Sequence, residues 1–166
     1  MLQAGLLLGA AIAALAPTTE RPAAPAAVLR WLAEQQPGEP GGLLHALLSE
    51  TAAPEARLRA LAERGEAWAA LNLGLIAMET GRVEEALVLL RQAAERGNRP
   101  AQHQLARLLA RSAVDRESLI EAFVWSGLAA RADNAAAERL NGQLRRRLDE
   151  AERRQGNERI WHWRPR

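Results

Sequence analysis

From Pro54 onward, apolar residues recur at every third or fourth position, the spacing that lines one face of a helix. Stop signals cut this pattern into segments. PEARLRALAERG at 54–65 opens on a proline and closes on a glycine, the asymmetry expected of helix ends. EAWAALNLGLIAMETG at 66–81, VEEALVLLRQAAERG at 83–97, RPAQHQLARLLARS at 99–112 and DRESLIEAFVWSGLAARAD at 115–133 follow as further helices. A longer last helix is expected from about Asn134 to Gln155, with GNERIWHWRPR left as an irregular or loosely docked tail, so that a repeat domain spans 54–155 and a tail 156–166.

The opening of the chain is patterned differently. Leu2 to Pro17 is uncharged and apolar, a length that fits a secretory signal core or a membrane span at the low end of the usual ~17–25 residues. Small residues at Ala14 to Ala16 offer a cleavage pattern, while the absence of Lys or Arg before the apolar run fits an uncleaved anchor. Residues 1–17 are therefore expected to form an apolar helix serving as signal peptide or membrane anchor. A Pro/Ala linker at 18–27 resists helix through its prolines. AVLRWLAEQQ, ending at Gln36, and GLLHALLSET, ending near Ala53, supply short helices in 28–53. This order places the protein in the periplasm or on the extracytoplasmic side of the inner membrane, with the cytoplasm as the alternative.

The helical segments repeat. A shift of 36 residues pairs Glu85 with Glu121, Ala86 with Ala122, Val88 with Val124, Leu89 with Trp125, Ala93 and Ala94 with Ala129 and Ala130, and Asn98 with Asn134. LAERG at 61–65 matches AAERG at 93–97 at a shift of 32, and Ala69, Leu73 and Gly74 match Ala101, Leu105 and Ala106 at the same shift. Ala136, Leu140 and Asn141 continue that series at 35. Intervals of this size are the mark of a helical repeat array. Neither helix of such a pair can bury its apolar stripe alone, so neighbouring pairs must stack, and a curved right-handed solenoid with a concave face is the expected result.

The order of small residue, Leu-Gly, a later Gly, Ala, an aliphatic or aromatic residue, Ala-Ala and Gly-Asn resembles the Sel1-like repeat, a relative of the tetratricopeptide repeat. One unit runs Ala69, Leu73, Gly74, Gly81, Ala86, Leu90, Ala93, Ala94, Gly97; the next runs Ala101, Leu105, Ala106, Ala122, Trp125, Ala129, Ala130, Asp133, Asn134. The likeness covers roughly residues 54–142. Ala106 stands where the first unit has Gly74, and Asp133 replaces the helix-ending glycine. The resemblance implies an all-α fold, a short solenoid of antiparallel helix pairs, and a role in binding another protein.

Composition narrows the chemistry. The chain has no Cys, which excludes disulfides, thiolate nucleophiles and Cys-ligated metals. Its 22 basic residues are all Arg and face 20 acids, for a formal net charge of +2. That balance is too even to argue for nucleic acid. His45, His103 and His162 are far apart with no ligand at i+4, no glycine-rich phosphate loop is present, and no serine sits in a G-x-S-x-G setting. Acid pairs such as Glu84-Glu85 and Asp149-Glu150 read as helix-dipole and i,i+4 partners. No enzyme activity and no cofactor is expected.

What is left is recognition. Asn72, Ile76, His103 and Arg107 lie beside the small-residue positions and are the expected partner contacts on the repeat; Trp161 and Trp163, in the tail IWHWR, are candidates for a membrane interface or a docking strand, or for a cap over the last helix. Trp68 and Trp125 read as packing residues, and Trp31 could pack back or meet a partner. The last helix carries Arg139, Arg145, Arg146, Arg147, Arg153 and Arg154 among Glu138, Asp149, Glu150 and Glu152, which reads as a solvated helix laced with ion pairs. The expectation is a protein-binding module or scaffold, exported or membrane-tethered. A structural subunit of a membrane complex, or binding of nucleic acid or anionic lipid through the arginine-rich helix, are the alternatives.

Overall fold

A computed structural model describes residues 54–131 and 134–166. The apolar segment 1–17, the linker 18–27, the short helices of 28–53 with Trp31 and His45, and the Asp133 position of the second repeat unit lie outside the described residues. Among the described residues every regular element is an α-helix: α1 Pro54–Glu63, α2 Ala67–Glu79, α3 Val83–Glu95, α4 Arg99–Ser112, α5 Arg116–Ala130, α6 Ala135–Arg147 and α7 Glu150–His162. Each of α1 to α6 packs chiefly on its neighbours in sequence, α7 turns back to lie on α5, and α4 also touches α6.

The glycines of the E-R-G and E-T-G stretches end α1, α2 and α3 in the same way. Gly65, Gly81 and Gly97 sit at φ of 97°, 76° and 82°, a left-handed conformation that costs a residue without Cβ almost nothing. At Gly97 the turn closes with its N–H donating to the Ala94 carbonyl at 3.0 Å and the Asn98 N–H to the Ala93 carbonyl at 3.1 Å, so two carbonyls left open by the helix end are satisfied. Asn98 then starts the next helix, its side-chain oxygen accepting from the Ala101 N–H at 2.9 Å. Asn134 does the same for α6, accepting from Ala136 and Ala137 at 3.1 and 3.0 Å. A Gly-Asn pair thus stops one helix and begins another within two residues.

Between these turns the helices meet over small side chains. Ala69, Ala86, Ala93, Ala94, Ala101, Ala106, Ala122 and Ala129 are all fully buried, with Leu73, Leu90 and Leu105 filling the space beside them. Gly74 is the tightest point of the α2–α3 crossing, since a methyl placed there would lie 2.8 Å from Leu90 Cγ. Two glutamines tie the layers through backbone: Gln92 Nε2 donates to the Ala62 carbonyl at 2.7 Å and Gln102 Nε2 to the Ala94 carbonyl at 3.2 Å. Trp125 is buried, and its indole N–H donates to Glu121, which also takes Arg91 at 2.6 Å.

The last helix departs from expectation. In place of one helix from 134 to 155 there are two, broken at Leu148 and Asp149, and the second runs on to His162. The break has a local cause: Asp149 accepts from the Glu152 N–H at 2.9 Å while the Glu152 side chain accepts from the Asp149 N–H at 2.8 Å, a reciprocal cap that starts α7. Leu148, in extended backbone, drops its side chain into the core. The D-x-x-E signature at 149–152 is present in the sequence.

Nor is the C-terminus loose. Arg116 binds Glu152, Arg159 pairs with Glu117, and Arg131 donates to the Ile160 carbonyl at 3.0 Å, which together fix α7 along α5. Trp163 meets Trp125 edge-to-face with ring centres 6.3 Å apart, and the Arg166 N–H donates to the Glu95 carbonyl at 2.9 Å. Among the described residues no helix is long and apolar enough to cross a membrane.

The α5–α7 contact is close enough to test. A methyl on Gly156 would sit 2.6 Å from the ring of Phe123, a buried side chain with nowhere to go, whereas Gly142, also inside a helix, has nothing within 4 Å. Replacing helical glycine by alanine gains roughly 0.5–1 kcal/mol of helix propensity, and overpacking costs roughly 1–3. Gly142→Ala should therefore raise the urea unfolding midpoint, and Gly156→Ala should lower it, with a net loss of ~1–2 kcal/mol in unfolding free energy. Equal midpoints for the two variants would contradict the close crossing.

Candidate functional site

Along α4, the core-facing positions are Ala101, Gln102, Leu105, Ala106, Leu108 and Leu109. His103, Arg107, Ala110 and Arg111 follow one another at helical spacing on the neighbouring stripe. On α6, Ala136, Arg139, Leu140, Gln143, Leu144 and Arg147 recur at three and four residues and so share one face. These two stripes line a groove of about 490 Å³. Ala110 and Ala136 keep it open because they project little, Leu140 and Leu144 add apolar surface, and four guanidinium groups edge it.

Among the described residues no Asp or Glu lines this groove. Some arginines elsewhere are matched: Arg59 and Arg82 with Glu55 and Glu85, Arg91 with Glu121, Arg116 with Glu152, Arg159 with Glu117. The Arg59 hydrogen bond holds the Glu85 carboxyl below its ordinary range. By contrast Arg107, Arg111, Arg139 and Arg147 form no ion pair among the described residues, and the nearest polar partner of Arg107 is the neutral Gln104 Oε1 at 3.1 Å. Burial, reinforced by the like charge of Arg111, lowers the pKa of the half-buried Arg107. A cation removed from water without a counter-charge is held at a cost.

His103 feels the same field. Burial first, then the Arg107 and Arg139 charges, push its pKa from 6.5 down to about 4, so the ring is neutral at physiological pH. Its Nδ1 is buried without a hydrogen-bond partner.

Of the residues expected to meet a partner, the structure brings His103 and Arg107 together in this groove. Asn72 and Ile76 are corrected: both are fully buried, because α2 is covered on nearly every side, and Asn72 Nδ2 donates to the Trp68 carbonyl at 2.8 Å. Trp161 is exposed on α7, and Trp163 is half-buried against Trp125. Most of the expected repeat-packing positions are buried; Gly81 is exposed at a helix end, and Gly97 and Ala130 are half-buried.

Arg111, Arg139, Gln143 and Arg147 were not expected to join the site. Helical spacing places each set on one face, but nothing in the spacing says that α4 and α6 stand side by side. The arginine-rich stretch also differs from a helix laced with ion pairs. Among Arg139, Arg145, Arg146, Arg147, Arg153 and Arg154, Arg154 with Glu150 makes an ion pair and the others make none among the described residues. A larger hollow of about 680 Å³ lies along α7 near Trp161, but it is more open, and Glu150 and Glu158 there offset Arg145, Arg153 and Arg154. Among the described residues no cluster of His, Cys, Asp or Glu could hold a metal ion.

No protein-family model, no curated protein and no solved structure matches the chain.

The depressed His103 pKa links the groove to stability. Between pH 6.5 and about 4 the unfolded chain takes up the proton that the folded state refuses, so acid favours unfolding across this window and the contribution is fully lost below it. His103→Gln should flatten the fall in unfolding free energy between these two pH values relative to the parent chain, as read by urea titrations at each pH. Parallel curves for the two proteins would rule out a neutral, desolvated imidazole.

Proposed function

We propose that the chain is a short right-handed Sel1-like solenoid serving as a protein-binding module, with the α4–α6 groove as its contact surface. The order of the helices, the left-handed glycines that end three of them and the alanine-lined crossings support the solenoid reading. One observation carries the functional part: among the described residues four arginines and no acid edge an open groove, and one of them, Arg107, is half-buried with only the neutral Gln104 as partner. Partly desolvated donors whose charge nothing nearby neutralises are what a partner's acceptors can satisfy. The apolar segment at the start of the chain supports a site of action outside the cytoplasm, exported or tethered.

A photo-crosslinking residue placed at Gln143, inside the groove, should yield adducts with another protein in cells making the full chain. The same residue at Val114, which is 92% exposed and lies outside the groove, should yield few. Equal labelling from both positions, or none from Gln143, would remove the groove as the contact surface.

A further inference from the structure

We infer that the α4–α6 groove takes an extended peptide segment with carboxylates on alternate residues, an acid-x-acid stretch, gripped by Arg107 and Arg111 from one wall and by Arg139 from the other. This rests on the protein-binding reading above and names the chemistry of the partner.

Charge sets the first condition. Arg107, Arg111, Arg139 and Arg147 converge on the groove, and among the described residues no acid lines it or pairs with them. A guanidinium presents a planar fork that matches a carboxylate through two parallel hydrogen bonds, so the preferred occupant is anionic and planar at its polar end.

Spacing sets the second. Arg107 and Arg111 are one helical turn apart, a rise of ~6 Å. In an extended peptide, side chains two residues apart point the same way and lie ~6.6 Å apart, whereas adjacent side chains point to opposite faces. Alternate acids therefore reach both arginines from one strand, and adjacent acids do not. From His103 to Arg111 the groove rises ~12 Å, which about four extended residues cover.

The lining supplies the third. Ala110, Ala136, Leu140 and Leu144 offer apolar surface beside the arginines. The methylenes of Glu or Asp side chains gain by covering it, and a small inorganic anion does not.

The same features disfavour larger polyanions. Duplex DNA carries a charge about every 1.7 Å along its axis and needs a continuous basic stripe. Outside the groove this chain is a mixture of signs, with a formal net charge of only +2. A bilayer surface is too broad to enter a slot between two helices, where Arg107 is half-buried.

The test uses the full chain and a fluorescent peptide with Glu at alternate positions separated by Ser. Its comparison is an isomer of the same composition with the Glu residues clustered. The alternating peptide should bind at least about tenfold more tightly, and Arg107→Gln or Arg139→Gln should each weaken it by about tenfold or more. Arg153→Gln, outside the groove, should leave binding unchanged. Thermal melting of Arg107→Gln should not fall below the parent's, since among the described residues that arginine has no ion pair to lose and hydrogen-bonds only the neutral Gln104, so lost binding cannot be put down to unfolding. In the bound state the His103 ring should titrate above its value of about 4 in the free protein, because an added carboxylate offsets the arginine field.

Equal affinity for the clustered isomer would overturn the inference. So would tighter binding of a single-stranded oligonucleotide, of inorganic phosphate or of vesicles containing anionic phospholipid. Protein adducts at Gln143 without any preference for the alternating peptide would leave the binding module standing and sink this account of its ligand.

Discussion

Close helix approach over alanine and glycine is the constraint on which the rest of this molecule depends. With Ala69, Ala86, Ala93, Ala101, Ala106, Ala122 and Ala129 at the contacts, backbones come near enough for leucines from both sides to interlock and for Gln92 and Gln102 to reach a carbonyl in the adjoining segment. Closeness leaves little room for error, which is why the crossings of Gly74 with Leu90 and of Gly156 with Phe123 admit no methyl. It also consumes surface. α2 is so thoroughly enclosed that Asn72 and Ile76 have none left to offer a partner.

The polar side of the structure follows from what packing leaves over. Arginine is the only strong cation in the chain, and its long arm lets it find acids on other elements, as Arg91 finds Glu121 and Arg116 finds Glu152. Exposed pairs of this kind contribute little stability each, roughly 0–1 kcal/mol, so their value here is to fix α7 in place and to neutralise the surface. Against that background Arg107 in the α4–α6 groove stands apart. Arg107 gives up water without gaining an acid, His103 stays neutral beside it, and the arrangement favours whatever anionic group arrives from outside.

How much of this could be read beforehand differs between elements, for physical reasons. The first five helices and their ends were legible because Pro, Gly and Asn act locally: a left-handed glycine and an asparagine cap need only the residues beside them. The burial of the alanines was legible from their helical spacing among the leucines, which puts both on the apolar face. The division of the last helix was written in Asp149 and Glu152, but a helix-favouring composition on both sides hid it. The docking of Trp163 on Trp125 was not legible, because no rule of spacing links residues so far apart in the chain.

By itself the sequence determined that the described residues form helices, where most of those helices start and stop, and that cysteine chemistry is excluded, because each of these depends on residue type and near neighbours alone. Tertiary structure decided which stripes face one another. His103 and Arg107 are separated from Arg139 and Arg147 by the whole of α5, and only the stacking of α6 against α4 and α5 brings the four together with no acid among the described residues between them. Charge in a groove is a property of juxtaposition, and juxtaposition is set by which apolar faces find each other.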